Sequence, residues 1–205
     1  MKIRVREPLP GGPEATERAL ARAGDARAIV LVEGLSDQIA LEALAARYGR
    51  DLDREGVAIV PIGGAQAIGR FLTRFAGDRA IAGLCDVGEE SVFRRGLERA
   101  GLGADLTREA MERLGFFVCV DDLEDELIRA HGAASVEAVL DSQGDLGSFR
   151  TFQKQPSWRG RSVERQLRRF MGSADRRKLR YGRLLVEALE LDRMPRPLSG
   201  VLAHV

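Results

Sequence analysis

Three short apolar runs in this chain each stop at an acid, and that punctuation limits the fold more than any other feature. Residues 27–32 give way to Glu33-Gly34 and, two residues on, to Asp37; Ala80-Ile-Ala-Gly-Leu-Cys runs into Asp86; Phe116-Phe-Val-Cys-Val runs into Asp121-Asp122. Unbroken apolar runs of this length read as strands buried on both faces, which is the habit of parallel sheets. Gly34 would let the chain turn sharply into a following helix. Acids at the carboxyl ends of such strands stand where open α/β sheets form their ligand crevice. Any one of them taken alone is better explained as a helix N-cap or a solvated loop residue, whereas three together could converge on one rim.

Strand and helix patterns alternate along the chain. Strands are expected at 27–32, 57–61, 79–85 and 115–120, and helices at 36–48, 65–75, 89–100 and 123–131. This alternation predicts a Rossmann-like parallel sheet flanked by helices, with right-handed crossovers. From about residue 135 the pattern is helical only, at 135–141, 161–171 and 174–191, until Pro195 and Pro197, which are expected to end regular structure. The chain therefore divides into a leader and helix (1–24, with Pro8, Pro10, Gly11, Gly12 and Pro13), an α/β domain (25–134) and a helical extension (135–205).

Carboxylates crowded on one rim repel unless some are protonated or a cation neutralises them. Hard oxygen donors favour Mg²⁺ or Mn²⁺. Such an ion polarises a phosphate, activates water and stabilises a leaving oxygen, and in two-metal sites a second ion shares the task.

At these residues the chain also resembles a known family. Val32-Glu33-Gly34-Leu35-Ser36-Asp37 is similar to the Glu-Gly-x-x-Asp/Glu signature of Toprim domains, found in topoisomerases, primases and several nucleases. The Gly63-Gly64 turn, Leu84-Cys85-Asp86 and Asp122-Leu123-Glu124 bring it closer to the OLD-like (overcoming lysogenization defect) Toprim nucleases, over roughly residues 25–130. The resemblance implies a Toprim-like fold and a nuclease or phosphodiesterase holding two Mg²⁺ or Mn²⁺ ions. Glu33, Asp37, Asp86, Asp122 and Glu124 would be the metal ligands, and Glu33 would also assist proton transfer. In the wider family the second motif is Asp-x-Asp, but here it reads Asp86-Val87-Gly88. Glu89 or Glu90 would have to supply the missing oxygen; failing that, the module is catalytically silent and binds nucleic acid or an ATPase partner. OLD nucleases usually join an ATPase to the Toprim domain, and no Gly-x-x-x-x-Gly-Lys-Ser/Thr sequence occurs here. Any ATP dependence would thus come from a separate partner.

The net charge of +1 conceals an uneven distribution. Residues 150–183 hold twelve Arg or Lys against Glu164 and Asp175, which leaves the remainder, with its acidic rim, at −9. A nuclease needs that division, because cations that hold a phosphate backbone must flank the carboxylates that hold ions. Arg159, Arg161, Arg168, Arg169, Arg176 and Arg177 are the candidate nucleic-acid contacts, to DNA in preference to RNA; the alternative is a face that docks on the chain's own acidic surface. Phe149, Phe152 and Trp158 interleave with cations, which suits base stacking or anchoring of the segment to the core. Lys154, one of three lysines in a chain with 29 arginines, is the candidate for steadying the scissile phosphate, a role the resemblance gives to a basic residue in this region. Gly63-Gly64 would line the phosphate side of the crevice or simply form a tight turn.

Other classes are excluded by composition. No stretch approaches the length of a membrane span, and Met1-Lys-Ile-Arg-Val-Arg lacks a signal-peptide core, so a cytoplasmic protein is expected. Cys85 and Cys119 lie inside apolar runs as small buried hydrophobes, and His131 and His204 show no zinc spacing. A small-molecule phosphate-binding protein would need a closed apolar pocket, and the basic extension argues against it. The oligomeric state is left open.

Overall fold

The apolar runs form a four-stranded, all-parallel sheet in the order β2-β1-β3-β4. The computed structural model describes residues 13–75, 77 and 79–205, so the leader over residues 1–12 lies outside it. In chain order the elements are α1 (Pro13–Arg22), β1 (Ala28–Val32), α2 (Leu35–Arg47), β2 (Val57–Pro61), α3 (Ile68–Arg74), β3 (Ala80–Asp86), α4 (Glu90–Arg99), α5 (Arg108–Arg113) and β4 (Phe116–Cys119). Then come α6 (Leu123–His131), α7 (Ala133–Ser142), α8 (Leu146–Gln153), α9 (Val163–Met171), α10 (Asp175–Ala188) and α11 (Arg196–Ala203).

Side chains along each strand alternate between two cores, as the period of two requires. Val30, Val32, Ile59, Leu84 and Phe117 face a core closed by α2 and α6–α11. Ile29, Leu31, Val60, Cys85 and Phe116 face a second core closed by α1, α3, α4 and α5. Helices sit on both faces, in three layers. In β3, Gly83 is required by packing: a Cβ there would lie 2.7 Å from the Phe116 ring and 3.1 Å from the Leu31 carbonyl oxygen.

The helices after residue 133 share the first core. α10 lies along α2, α9 on α6, and α11 on β4, burying Leu167, Tyr181, Leu185, Leu198 and Val201 in that core. Two expectations are corrected here. Pro195 and Pro197 do not end regular structure but open α11, where Pro195 is the N-cap and Pro197 lies in the first turn. Proline's missing N–H costs nothing in the first turn of a helix. Gly34 does not make a tight turn either: its φ of −144° is extended backbone open to any residue, and its contribution is an N–H donated to Asp37 Oδ2 at 2.9 Å. The segments forming α5, α8 and α11 were not expected to be helical.

The strand order places a switch point between β1 and β3. After β1 the chain crosses to β2 on one side, then returns to lay β3 on the other, so the connections leaving β1 and β3 diverge and open a crevice at their carboxyl ends. Val32 pairs with Leu84, which sets Glu33 and Asp86 on the two lips of that crevice.

Candidate metal and phosphate site

Glu33 leaves β1 and turns back across the switch point, where its Oε1 accepts a hydrogen bond from the Asp86 backbone N–H at 3.0 Å. Asp37 stands in the first turn of α2 and caps it through Gly34. Asp122 is the N-cap of α6: one carboxylate oxygen accepts from the Asp125 N–H at 2.8 Å, and the other receives Arg168 Nε at 2.7 Å. Glu124, on the next half-turn, is only 4% exposed; its Oε2 lies 3.5 Å from Lys178 Nζ, and its Oε1 is buried with no hydrogen-bond partner among the described residues.

These five carboxylates feel one another. Burial raises the pKa of Glu33, an effect reduced by the Asp86 N–H and reinforced by Asp37 and Glu89. Burial likewise raises Asp37, against the help of the Gly34 N–H and Lys178. Asp86 is pushed up to about 8, first by desolvation and then by Asp37, Glu33 and Asp122. Glu124 is pushed up to about 7 by desolvation, with Lys178 opposing and Asp122 and Asp37 adding to it. The three acidic strand ends therefore converge as expected.

The lysine in their midst is Lys178, not Lys154. Burial disfavours the Lys178 ammonium, yet Glu124, Asp37, Asp86 and Asp122 more than offset this and hold its pKa above the ordinary lysine value. Lys154 is exposed at the C-cap of α8, and it is not among the charges acting on Glu33, Asp37, Asp86 or Glu124. Sequence reasoning passed over Lys178 because α10 is rich in cations. Its signal was its type, a lysine among arginines, on a helix whose other side packs on α2.

The two acids that follow Gly88 differ in their charge pairing. Arg94 and Arg108 both grip Glu90, and the Arg108 hydrogen bond leads the causes that hold its carboxyl below the usual range. Glu89, closing a 3₁₀ turn directly after Asp86, is the one that acts on Glu33.

The candidate nucleic-acid residues separate into two kinds. Arg168 is turned inward onto Asp122 and, at 3.4 Å, Asp121. Arg177 lies over the Phe170 ring at 4.2 Å and donates to Ser173 Oγ at 2.8 Å. Arg159, Arg161, Arg169 and Arg176 are exposed. The aromatics anchor α8 to α9: Phe149 is fully buried, Phe152 stacks on Trp158 at 5.2 Å, and both Phe149 and Phe152 pack on Phe170. After β2, Gly63 (φ +75°) and Gly64 (φ +107°) take a turn that other residues rarely adopt, and Gly64 N–H donates to the Glu33 carbonyl at 3.1 Å.

Among the described residues no three His, Cys, Asp or Glu side chains are already set to hold a metal ion. The donor chemistry nevertheless suits a hard divalent cation: every rim donor is a carboxylate oxygen, four of the five carboxyls resist ionisation, and one buried oxygen of Glu124 lacks a partner. No helix among the described residues is long and apolar enough to cross a membrane.

Residues 26–77 match the model of the family described as overcoming lysogenization defect protein-like, TOPRIM domain. A search of curated proteins finds no match. The structure is similar to the C-terminal region of the Xanthomonas campestris pv. campestris OLD protein, with a TM-score of 0.65 and 20% identity over 88% of this chain and 92% of that one. It is also similar to the C-terminal region of the Burkholderia pseudomallei OLD protein, with a TM-score of 0.63 and 19% identity over 87% and 96% of the two chains. The chain thus carries an OLD-like Toprim match on a Toprim-like α/β fold.

Proposed function

We propose that this protein is a metal-dependent nuclease, a phosphodiesterase acting on nucleic acid and on DNA in preference to RNA. The observation that carries the proposal is the convergence of Glu33, Asp37, Asp86, Asp122 and Glu124 around Lys178 at the switch point of the sheet. When bound, Mg²⁺ or Mn²⁺, as a pair of ions, would polarise the phosphate and lower the pKa of attacking water.

The five carboxylates would hold the ions, with Glu89, the residue after Gly88, supplying the oxygen that the wider family takes from its second aspartate. Glu33, its pKa raised by burial, is thereby made a better base for taking a proton from water. Lys178, held charged by four acids, would place its ammonium against the non-bridging oxygens as charge develops on the phosphate. Lys154 is withdrawn from that role on its position. A second reading, a silent nucleic-acid-binding module, is favoured by Lys178 and Arg168, which already pair with Glu124 and Asp122.

Incubation of the purified protein with supercoiled plasmid and with single-stranded RNA, in Mn²⁺, Mg²⁺ or EDTA, separates the two readings. Cleavage that requires the ion and disappears in Glu33→Gln supports the nuclease. Binding without cleavage in either ion leaves the silent module.

A further inference from the structure

α9 is divided lengthwise. Leu167, Phe170, Met171 and Gln166 are buried against the core, while Arg165 and Arg169 stand exposed on the opposite side with Arg161 just ahead of the Ser162 N-cap. Arg165 and Arg169 are four residues apart and so share one side of the helix, and Arg161 precedes them in the segment that enters it. Arg168, one step around from Arg169, reaches the rim and binds Asp122 at 2.7 Å. The row of cations therefore starts at the acidic site and runs away from it.

Several neighbouring cations are already engaged, whereas Lys154, Arg159 and Arg176 are exposed and form no ion pair among the described residues. Lys178 pairs with Glu124, Arg180 with Asp145, Arg183 with Glu187 and Arg150 with Glu137, and Arg177 stacks on Phe170. Arg161, Arg165 and Arg169 form no ion pair among the described residues. Glu164 is the only acid on α9.

We infer that this row is the track along which one strand of the nucleic acid approaches the rim, each arginine taking a backbone phosphate. The inference rests on the nucleic-acid reading above and narrows it from a broadly basic segment to one side of one helix. Arginines four residues apart are offset by about 6 Å along a helix axis, close to the roughly 6.8 Å rise across two phosphates of a duplex strand. Phosphate is the partner chosen because the row is continuous with a carboxylate site whose donors would suit a hard divalent cation, the kind of ion that accompanies phosphate.

The test compares two triple variants with the same loss of charge. One is Arg161→Gln, Arg165→Gln, Arg169→Gln; the other is Arg54→Gln, Arg183→Gln, Arg196→Gln, three exposed arginines already paired with Asp51, Glu187 and Glu112. Anisotropy of a labelled DNA duplex is followed across a salt series in Ca²⁺, with melting curves to verify folding. The track predicts that the log-log salt slope flattens by about two to three units in the α9 variant, since each lost phosphate contact is worth roughly 0.9 on duplex DNA, and that it is unchanged in the control. Equal flattening in both variants would reduce the effect to net charge and overturn the track, as would an α9 variant with the wild-type slope. Wild-type binding of polyglutamate with the same slope would reassign the row to an acidic protein partner. Failure of the nuclease reading shows itself separately, as wild-type protein that binds DNA but does not cut it in Mg²⁺ or Mn²⁺.

Discussion

Asp86 and Glu90 are four residues apart, and the fold treats their carboxylates in opposite ways. Glu90 is enclosed by Arg94 and Arg108 and held ionised below the usual range. Asp86 has only carboxylates and one shared lysine for company, and its pKa is driven up to about 8. The first arrangement is complete within the chain and therefore structural. The second raises the free energy of the folded protein at neutral pH, and such an excess persists where a ligand removes it. The difference separates an acid whose charge is met within the chain from an acid whose charge is not, and on the proposed function the second is the one a cation would satisfy.

The sharpest way to break that distinction is chemical. Glu33→Gln and Asp86→Asn are expected to lower metal-dependent cleavage by at least about a hundredfold, while Glu90→Gln leaves it close to wild type; plasmid nicking rates with matched melting curves decide. Comparable losses in all three variants would erase the contrast. Next in size is Lys178→Met, expected to slow cleavage roughly a hundredfold, as loss of one preorganised charge donor does, beside a Lys154→Met variant that changes little. A reversed order would return the role to Lys154.

Stability supplies the third comparison. Asp86 and Glu124, with folded values of about 8 and about 7, lie above their unfolded values, so between about pH 4 and 8 the folded state binds more protons than the unfolded one. Their contribution is greatest below that window and is lost as pH rises through it. The groups facing Asp86 are Asp37, Glu33, Asp122 and Lys178. Without metal, Tm should therefore fall from pH 5 to 8, by roughly 2–4 °C for each kcal/mol lost in a chain of this size, and Asp86→Asn should flatten the decline. Added Mn²⁺ should raise Tm more at pH 8 than at pH 6, because its ligands are then ionised. A Tm insensitive to millimolar ion at both pH values would favour the silent module. The smallest effect belongs to Glu90→Gln, a loss of about 1–2 kcal/mol from the Arg94–Arg108 cluster, measured by denaturant unfolding, with no change in the metal-induced Tm shift.

The strands and the acids were legible because both are local: a buried parallel strand must be apolar throughout, and an acid at its end interrupts the run. Partner choice was not local. Nothing near Lys178 says that α10 lies along α2, and only that packing carries its ammonium to Glu124. Arg168 is likewise indistinguishable in sequence from Arg165, although one is bound to Asp122 and the other faces solvent. α11 was concealed by prolines whose meaning depends on whether they fall at the start or the interior of a helix.

The position of the cations along the chain has a consequence for synthesis. The rim acids lie between residues 33 and 124, but Arg168 and Lys178 leave the ribosome tens of residues later, together with the helices that cover Val30, Val32 and Leu84. A nascent chain whose strands have already emerged carries a sheet face covered only in part, by α2, and an acidic cluster without Arg168 and Lys178. Closure must wait for contacts more than a hundred residues apart, such as those of α10 with α2, and long-range closure of this kind is slow and open to aggregation. A prematurely terminated chain would thus be a ready client for chaperones, and the same late step that buries the sheet would deliver the lysine to the rim.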